Sequence, residues 1–188
     1  MNKIILLDID NTLLIPQNIF IYYSKDGVEK KLTPEDYADI IVTMDDKKYY
    51  DYVEFRDNTI IRKSIETAKP LWENINIAKK YIDAGYQVGF LTARGQEPLI
   101  KDIMPKWLME KTDRHIKINT SYTHAVNDLD KKYIGYNDST KKLEVIKSYS
   151  KMGTFDEIIF MDDNAHTMGI INDWVKENGI KNIKTILV

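Results

Sequence analysis

The chain has no cysteine among its 188 residues. Disulfides, thiol nucleophiles and zinc–thiolate sites are therefore excluded. It has little excess charge of either sign: the net charge of −2 supplies no general field for nucleic acid or for a membrane surface. No apolar run approaches the roughly 20 residues that span a bilayer. At the N-terminus one lysine precedes a short apolar run, and acids follow where a small-residue cleavage site would stand, so no secretory signal is expected. The histidines His115, His124 and His166 show no metal-ligand spacing and are read as structural or surface residues. No internal repeat, low-complexity tract or linker interrupts the chain. These absences lead to the expectation of a soluble, cytoplasmic protein with no membrane partner. What is present fits that class. Hydrophobic residues make up 43% and charged residues 30%, and the length suffices for one sizeable core or a core with a small appendage.

One stretch organises the remainder. Ile4-Ile5-Leu6-Leu7 is an apolar run that continues into Asp8-Ile9-Asp10-Asn11-Thr12. A buried strand ending in two carboxylates places like charges together, which disfavours both unless a cation or a shared proton resolves the conflict. An Asp-Asn turn accounts for Asn11. It does not account for an acid at position 8, inside the apolar run.

Further along, Ile19–Tyr23 and Val28–Leu32 flank Ser24-Lys25-Asp26-Gly27, the pattern of a hairpin. Thr33 and Pro34 read as the N-cap and first position of a short helix to about Ile41. Met44–Lys48 reads as a loop, Tyr49–Phe55 as an alternating strand, and Ile60–Ala68 as a helix that stops before Pro70. Leu71–Ala84 carries Leu71, Ile75, Ala78 and Ile82 on one helical face, with Gly85 as C-cap. The pattern then predicts a buried strand over Tyr86–Leu91, a helix over Glu97–Glu110 that Pro105 bends or splits, and a strand over His115–Asn119. Residues 120–138 are polar and read as a loop. A helix over Thr140–Tyr149, a strand over Phe155–Phe160, a helix over His166–Asn178 and a strand over Ile183–Val188 complete the chain. This alternation predicts an α/β fold, a doubly wound Rossmann-like parallel sheet with helices on both faces. The irregular part after the first strand reads as an inserted flap or small cap. The expected division is a core of 1–14 and 70–188, with 15–69 inserted.

In such a sheet, ligands bind outside the carboxyl ends of the strands. Asp8 and Asp10, Thr92 and Arg94, and Asp162 and Asp163 all fall at strand ends, and Lys141 and Lys142 lie near the start of the preceding helix. Each has an ordinary structural explanation alone: a turn, a β-former, a solvated lysine. Their convergence on one sheet edge favours phosphoryl transfer. Three carboxylates with oxygen-only ligation suit Mg²⁺. An aspartate can attack phosphorus to form an aspartyl-phosphate. A second acid can protonate the leaving oxygen and then activate water, and a lysine and a hydroxyl can hold phosphoryl oxygens.

Asp8-Ile9-Asp10-Asn11-Thr12 after an apolar strand resembles the first signature of the haloacid dehalogenase superfamily. Thr92 resembles the second, Lys142 (or Lys141) the third, and Asp162-Asp163 the fourth, in the expected order. The resemblance covers the core and not the insertion. It implies Asp8 as nucleophile, Asp10 as general acid/base, Thr92 and Lys142 (or Lys141) as catalytic partners, and Asn11, Thr12, Ala93 and Arg94 on the substrate. It implies Mg²⁺ held by Asp8, Asp10, Asp163 and Asp162, with Asp10 contributing its backbone carbonyl. Asp10 favours phosphate-ester hydrolysis, because dehalogenating members lack that acid.

Phe55-Arg56-Asp57 and Thr92-Ala93-Arg94 look similar to phage and bacterial phosphatases of this superfamily that act on nucleotides or polynucleotide ends. The expected partner is thus a small phosphorylated substrate such as a nucleotide, or an oligonucleotide 3′-phosphate. A non-catalytic phosphate-binding module and a phosphotransferase of the same fold are the alternatives. In the insertion, Tyr22, Tyr23, Tyr49, Tyr50 and Tyr52 lie near Lys25, Lys47 and Lys48, a set suited either to the core of a small cap or to stacking and phosphate contact.

Overall fold

The computed structural model describes every residue except Met1, Asp39, 41–45, His115, Lys117, 130–132 and Ile134. In chain order the described elements are β1 (Lys3–Leu7), β2 (Leu14–Ile15), β3 (Ile21–Lys25), β4 (Val28–Leu32), α1 (Pro34–Ala38), β5 (Tyr50–Asp51), α2 (Asn58–Glu66) and β6 (Lys69–Pro70). They continue with α3 (Trp72–Asp83), β7 (Gln87–Thr92), α4 (Glu97–Thr112), β8 (His124–Ala125), α5 (Asp138–Met152), β9 (Glu157–Asp162), α6 (Ala165–Glu177) and β10 (Ile183–Leu187). Two compact units result, one of Met1–Ile15 with Pro70–Val188 and one of Pro16–Lys69.

The larger unit is α/β. Five strands pair in the order β10-β9-β1-β7-β8, all parallel, and helices flank the sheet, α3 packed on α4 and α5 on α6. The architecture is Rossmann-like. From β1 the chain steps outward first through β7 and β8, then back to β9 and β10 on the other side. The order therefore reverses at β1, and a crevice at such a reversal is where open α/β sheets place ligands. β1 is central because Ile4, Ile5, Leu6 and Leu7 are all fully buried. Each such side chain contributes roughly 1.5–3 kcal/mol relative to exposure. The strand aligns with both neighbours in register, Leu6 opposite Gly89 on β7 and Phe160 on β9.

Local signals explain most boundaries. Asn137 accepts the Thr140 N–H to start α5, Asn164 accepts the Thr167 N–H to start α6, and Asp57 accepts the N–H groups of Thr59 and Ile60 to start α2. Gly85 follows α3 with φ +83°. α4 runs unbroken through Pro105.

The structure departs from the sequence reading at Pro105, which does not split α4, and in several strands. The expected strand over Tyr49–Phe55 is reduced to Tyr50–Asp51, because β3 offers pairing only to those two residues and Val53–Arg56 then turns as a 3₁₀ segment. The fifth sheet strand lies at His124–Ala125, inside the stretch read as loop, where it pairs with Leu91 and Thr92. Of the expected His115–Asn119 strand, His115 and Lys117 lie outside the described residues, and Ile118 makes a single bridge to Val88. The expected helix end at Ile41 and residues 44 and 45 of the expected loop also lie outside them; Asp46–Tyr49 is a 3₁₀ turn.

In the Pro16–Lys69 unit, β3 and β4 form an antiparallel hairpin closed by Asp26 and Gly27 at φ +52° and +78°, the left-handed pair that a two-residue turn requires. Thr33 caps α1 through its hydroxyl, which accepts the Asp36 N–H at 3.1 Å. No helix among the described residues is long and apolar enough to cross a membrane.

Candidate active site

The site assembles on the larger unit, at the carboxyl end of β1. β1 ends at Leu7, and the Asp8 N–H still donates to the Met161 carbonyl of β9 at 2.9 Å. That bond holds Asp8 at the strand end, with its side chain almost wholly buried. The following residues turn sharply. The Leu13 and Leu14 N–H groups donate to the Ile9 carbonyl, and Asn11 takes φ +56°.

Two carboxylates share one ammonium. Lys142 Nζ donates to Asp8 Oδ1 and to Asp162 Oδ2, each at 2.8 Å, and all three side chains are at most 7% exposed. Lys141, one residue earlier, donates instead to Asn127 Oδ1 at 2.6 Å and lies 3.5 Å from Asp138. Of the two lysines, Lys142 is the one against Asp8. Asp162 Oδ1 also accepts the Asn164 N–H at 2.8 Å. Thr12, fully buried, ties the loop to β9: its hydroxyl lies 3.3 Å from Asp8 Oδ2 and 3.1 Å from Asp163 Oδ1, and it accepts the Asp163 N–H at 3.0 Å.

The charges do not balance. Burial pushes Asp8 up to about 7, against the pull of Lys142, with Asp162 adding to the rise. Burial and then Asp162 also raise Asp163. Burial works to lower Lys142, but Asp8 and Asp162 outweigh it and hold the ammonium protonated above its ordinary range. Asp8, Asp162 and Asp163 can bring one oxygen each within 4.8 Å of one another. Three carboxylates facing one ammonium, all oxygen donors, fit a hard divalent cation. The Asp10 carboxylate is outside that trio. It is taken by Arg94, whose Nε donates to Oδ2 at 2.7 Å and Nη2 to Oδ1 at 2.6 Å.

Thr92 ends β7 almost fully buried, and its hydroxyl accepts the Arg94 N–H at 3.3 Å. Ala93 is partly exposed, and its carbonyl accepts from the Asn127 side chain. Asp8, Asp10, Thr92, Arg94, Asp162 and Asp163 therefore lie at neighbouring strand ends with Lys142 reaching in from α5, but Thr12 and Arg94 are engaged with protein carboxylates and Lys141 turns to Asn127. Two supports escaped sequence reading. Asn127 joins Ala93 to Lys141, and Asn74 Nδ2 donates to the Thr12 carbonyl at 2.9 Å. Neither carries a motif; Asn127 lies in a polar stretch and Asn74 on a helix face, and only proximity reveals them.

A cleft of about 590 Å³ lies in the Pro16–Lys69 unit, lined in part by Tyr22, Tyr23, Tyr49, Lys30, Lys31 and Lys48. The lining tyrosines also pack on one another, Tyr23 on Tyr50 at 5.0 Å between centroids, and Lys48 of the lining and Lys25 beside it lie 5.0 and 4.5 Å from the Tyr49 ring. Compared with known proteins, the chain matches no family model, no curated protein and no solved structure.

Proposed function

We propose that the chain is a Mg²⁺-dependent phosphomonoester hydrolase of the haloacid dehalogenase type, working through an aspartyl-phosphate on Asp8. One observation carries the reading. At the reversal point of the sheet, a buried carboxylate is held by Lys142 at 2.8 Å while a second acid two residues on is held separately by Arg94. A purely structural ion pair has no use for the second acid, whereas nucleophile and proton donor are distinct jobs.

In the first step an Asp8 oxygen bonds to phosphorus as the ester P–O bond breaks, and Asp10 supplies the proton that the leaving oxygen takes. In the second, Asp10 takes a proton from water as that water attacks phosphorus, and the bond to Asp8 breaks to release inorganic phosphate. Lys142 and the Thr92 hydroxyl are the protein donors for the phosphoryl oxygens. Asp8, Asp163, Asp162 and the Asp10 backbone would hold Mg²⁺, which when bound neutralises phosphate charge. The Pro16–Lys69 unit acts in this reading as the cap that selects substrate.

The substrate is a small phosphate ester such as a nucleotide, in keeping with the near-neutral net charge. The tyrosine- and lysine-lined cleft favours a second reading, a 3′-phosphate at a nucleic-acid end, since such surfaces stack bases and bind backbone phosphates. Screening phosphomonoesters and 3′-phosphorylated oligonucleotides with Mg²⁺, beside Asp8→Asn, tests the proposal. Asp8→Asn is expected to abolish hydrolysis with the circular dichroism spectrum unchanged; wild-type turnover by Asp8→Asn overturns the mechanism. Salt-sensitive binding of the oligonucleotide selects the second substrate class.

A further inference from the structure

We infer that Arg94 is a positioning residue for Asp10 and does not read the substrate phosphate. The inference rests on the hydrolase reading above. Arg94 is 6% exposed, and its Nε and Nη2 make a two-pronged fork onto the two Asp10 oxygens. A planar guanidinium paired to a carboxylate in this way fixes orientation as well as distance. Its remaining nitrogen, Nη1, is buried with no hydrogen-bond partner among the described residues. The edge that would fork onto a phosphate is therefore already occupied, and the free nitrogen is closed to solvent.

The backbone under Arg94 is anchored on both sides. Its N–H donates to the Thr92 hydroxyl, the Asn127 N–H donates to its carbonyl, and the Asn127 side chain donates to the Ala93 carbonyl. The Asp10 backbone is held by its bridge to Leu14, but that bridge does not orient the carboxylate. Asp10 lies past the end of β1, its side chain is 29% exposed, and the next residue is in the left-handed region. Without the fork its carboxylate is free to leave the reacting atoms. With it, each oxygen accepts one N–H and keeps a further lone pair for the proton it exchanges. Lysine cannot reproduce a fork, because its ammonium is a point charge on a flexible stem.

The test is a double-mutant cycle on the full chain with Mg²⁺ and a small phosphomonoester: wild type, Arg94→Ala, Asp10→Ala and the double variant, with Arg94→Lys beside them. Arg94→Ala is expected to lower kcat about 100-fold, the order associated with a misplaced group. KM and inhibition by inorganic phosphate stay near wild type. The double variant is no slower than Asp10→Ala alone, because Arg94 acts only through Asp10. Arg94→Lys does not restore kcat. Multiplicative effects in the double variant, or a raised KM and weakened phosphate inhibition with kcat retained, overturn the inference. If Arg94→Ala fails to fold by circular dichroism, Arg94→Lys takes its place in the cycle. Full activity in Asp8→Asn strikes the hydrolase reading itself, whereas an inactive Asp8→Asn with independent Arg94 and Asp10 effects strikes this inference alone.

Discussion

Lys142 is where single residues matter most, because it is the only ammonium in contact with Asp8 and Asp162 among the described residues. Removing one member of a buried ion-paired group leaves charge uncompensated, typically at about 3–5 kcal/mol. Lys142→Ala is therefore expected to lose that order of stability in a urea melt and to lose hydrolysis, with Mg²⁺ recovering part of the stability and none of the rate. A melt that matches wild type contradicts the buried pairing. Asp8 gives a second expectation. Its carboxyl, pushed up to about 7, keeps a proton in the folded chain between its ordinary 3.8 and 7 that the unfolded chain has lost. The folded state binds more protons in that window, so the contribution of Asp8 to stability falls as pH rises through it, by up to about 1.4 kcal/mol per unit. Urea melts from pH 4 to 8 in chelator should show wild type losing stability relative to Asp8→Asn, and Mg²⁺ should shrink the loss by favouring the ionised form. Parallel profiles contradict it.

Two sites on the strands set expectations for elements. Gly89 sits mid-strand on β7, and a Cβ there would overlap the Tyr122 carbonyl and touch the Leu6 side chain. The need is for space and not for an unusual φ. Gly89→Ala is expected to destabilise by about 1–3 kcal/mol, the usual effect of overpacking. A thermal melt checks it, and an unchanged Tm contradicts the close approach of the Tyr122 segment to β7. At the opposite strand ends, Glu157 opens β9 between Lys184 of β10 at 2.6 Å and Lys3 of β1 at 3.2 Å. Lys184 first, then Tyr86, then Lys3 hold its carboxyl down at about 2. A lowered carboxylate stabilises above its ordinary 4.5, and the benefit disappears as pH falls through about 2. The pair is partly solvated, so Glu157→Gln is expected to cost no more than about 1 kcal/mol at pH 7. The difference from wild type should close near pH 2; a gap independent of pH would assign the effect to packing.

For the molecule as a whole, every site residue belongs to the Met1–Ile15 and Pro70–Val188 unit. The chain leaves that unit and re-enters it at adjacent points, since the Leu71 N–H donates to the Leu13 carbonyl at 2.9 Å. Replacing Pro16–Lys69 by a short glycine-rich linker should therefore leave the parallel sheet folded. The shortened chain is expected to hydrolyse a small activated ester with Mg²⁺ and to lose discrimination among substrates. Loss of helical circular dichroism beyond that of α1 and α2 would show that the sheet needs the insertion to fold.

The sequence by itself determined the alternation of strands and helices, the hairpin at Asp26-Gly27, and the acids at the end of β1. These are local: apolar runs, capping side chains and turn residues act within a few positions. Tertiary structure alone decided the pairings. Lys141 and Lys142 are neighbours in an apt stretch, but successive helical residues point about 100° apart, so only one reaches Asp8. Arg94 reads equally as a phosphate ligand or a partner of protein, and its fork onto Asp10 depends on two loops 84 residues apart meeting. The strands Tyr50–Asp51 and His124–Ala125 are too short to show a period of two, so their existence rests on the neighbour that accepts their hydrogen bonds.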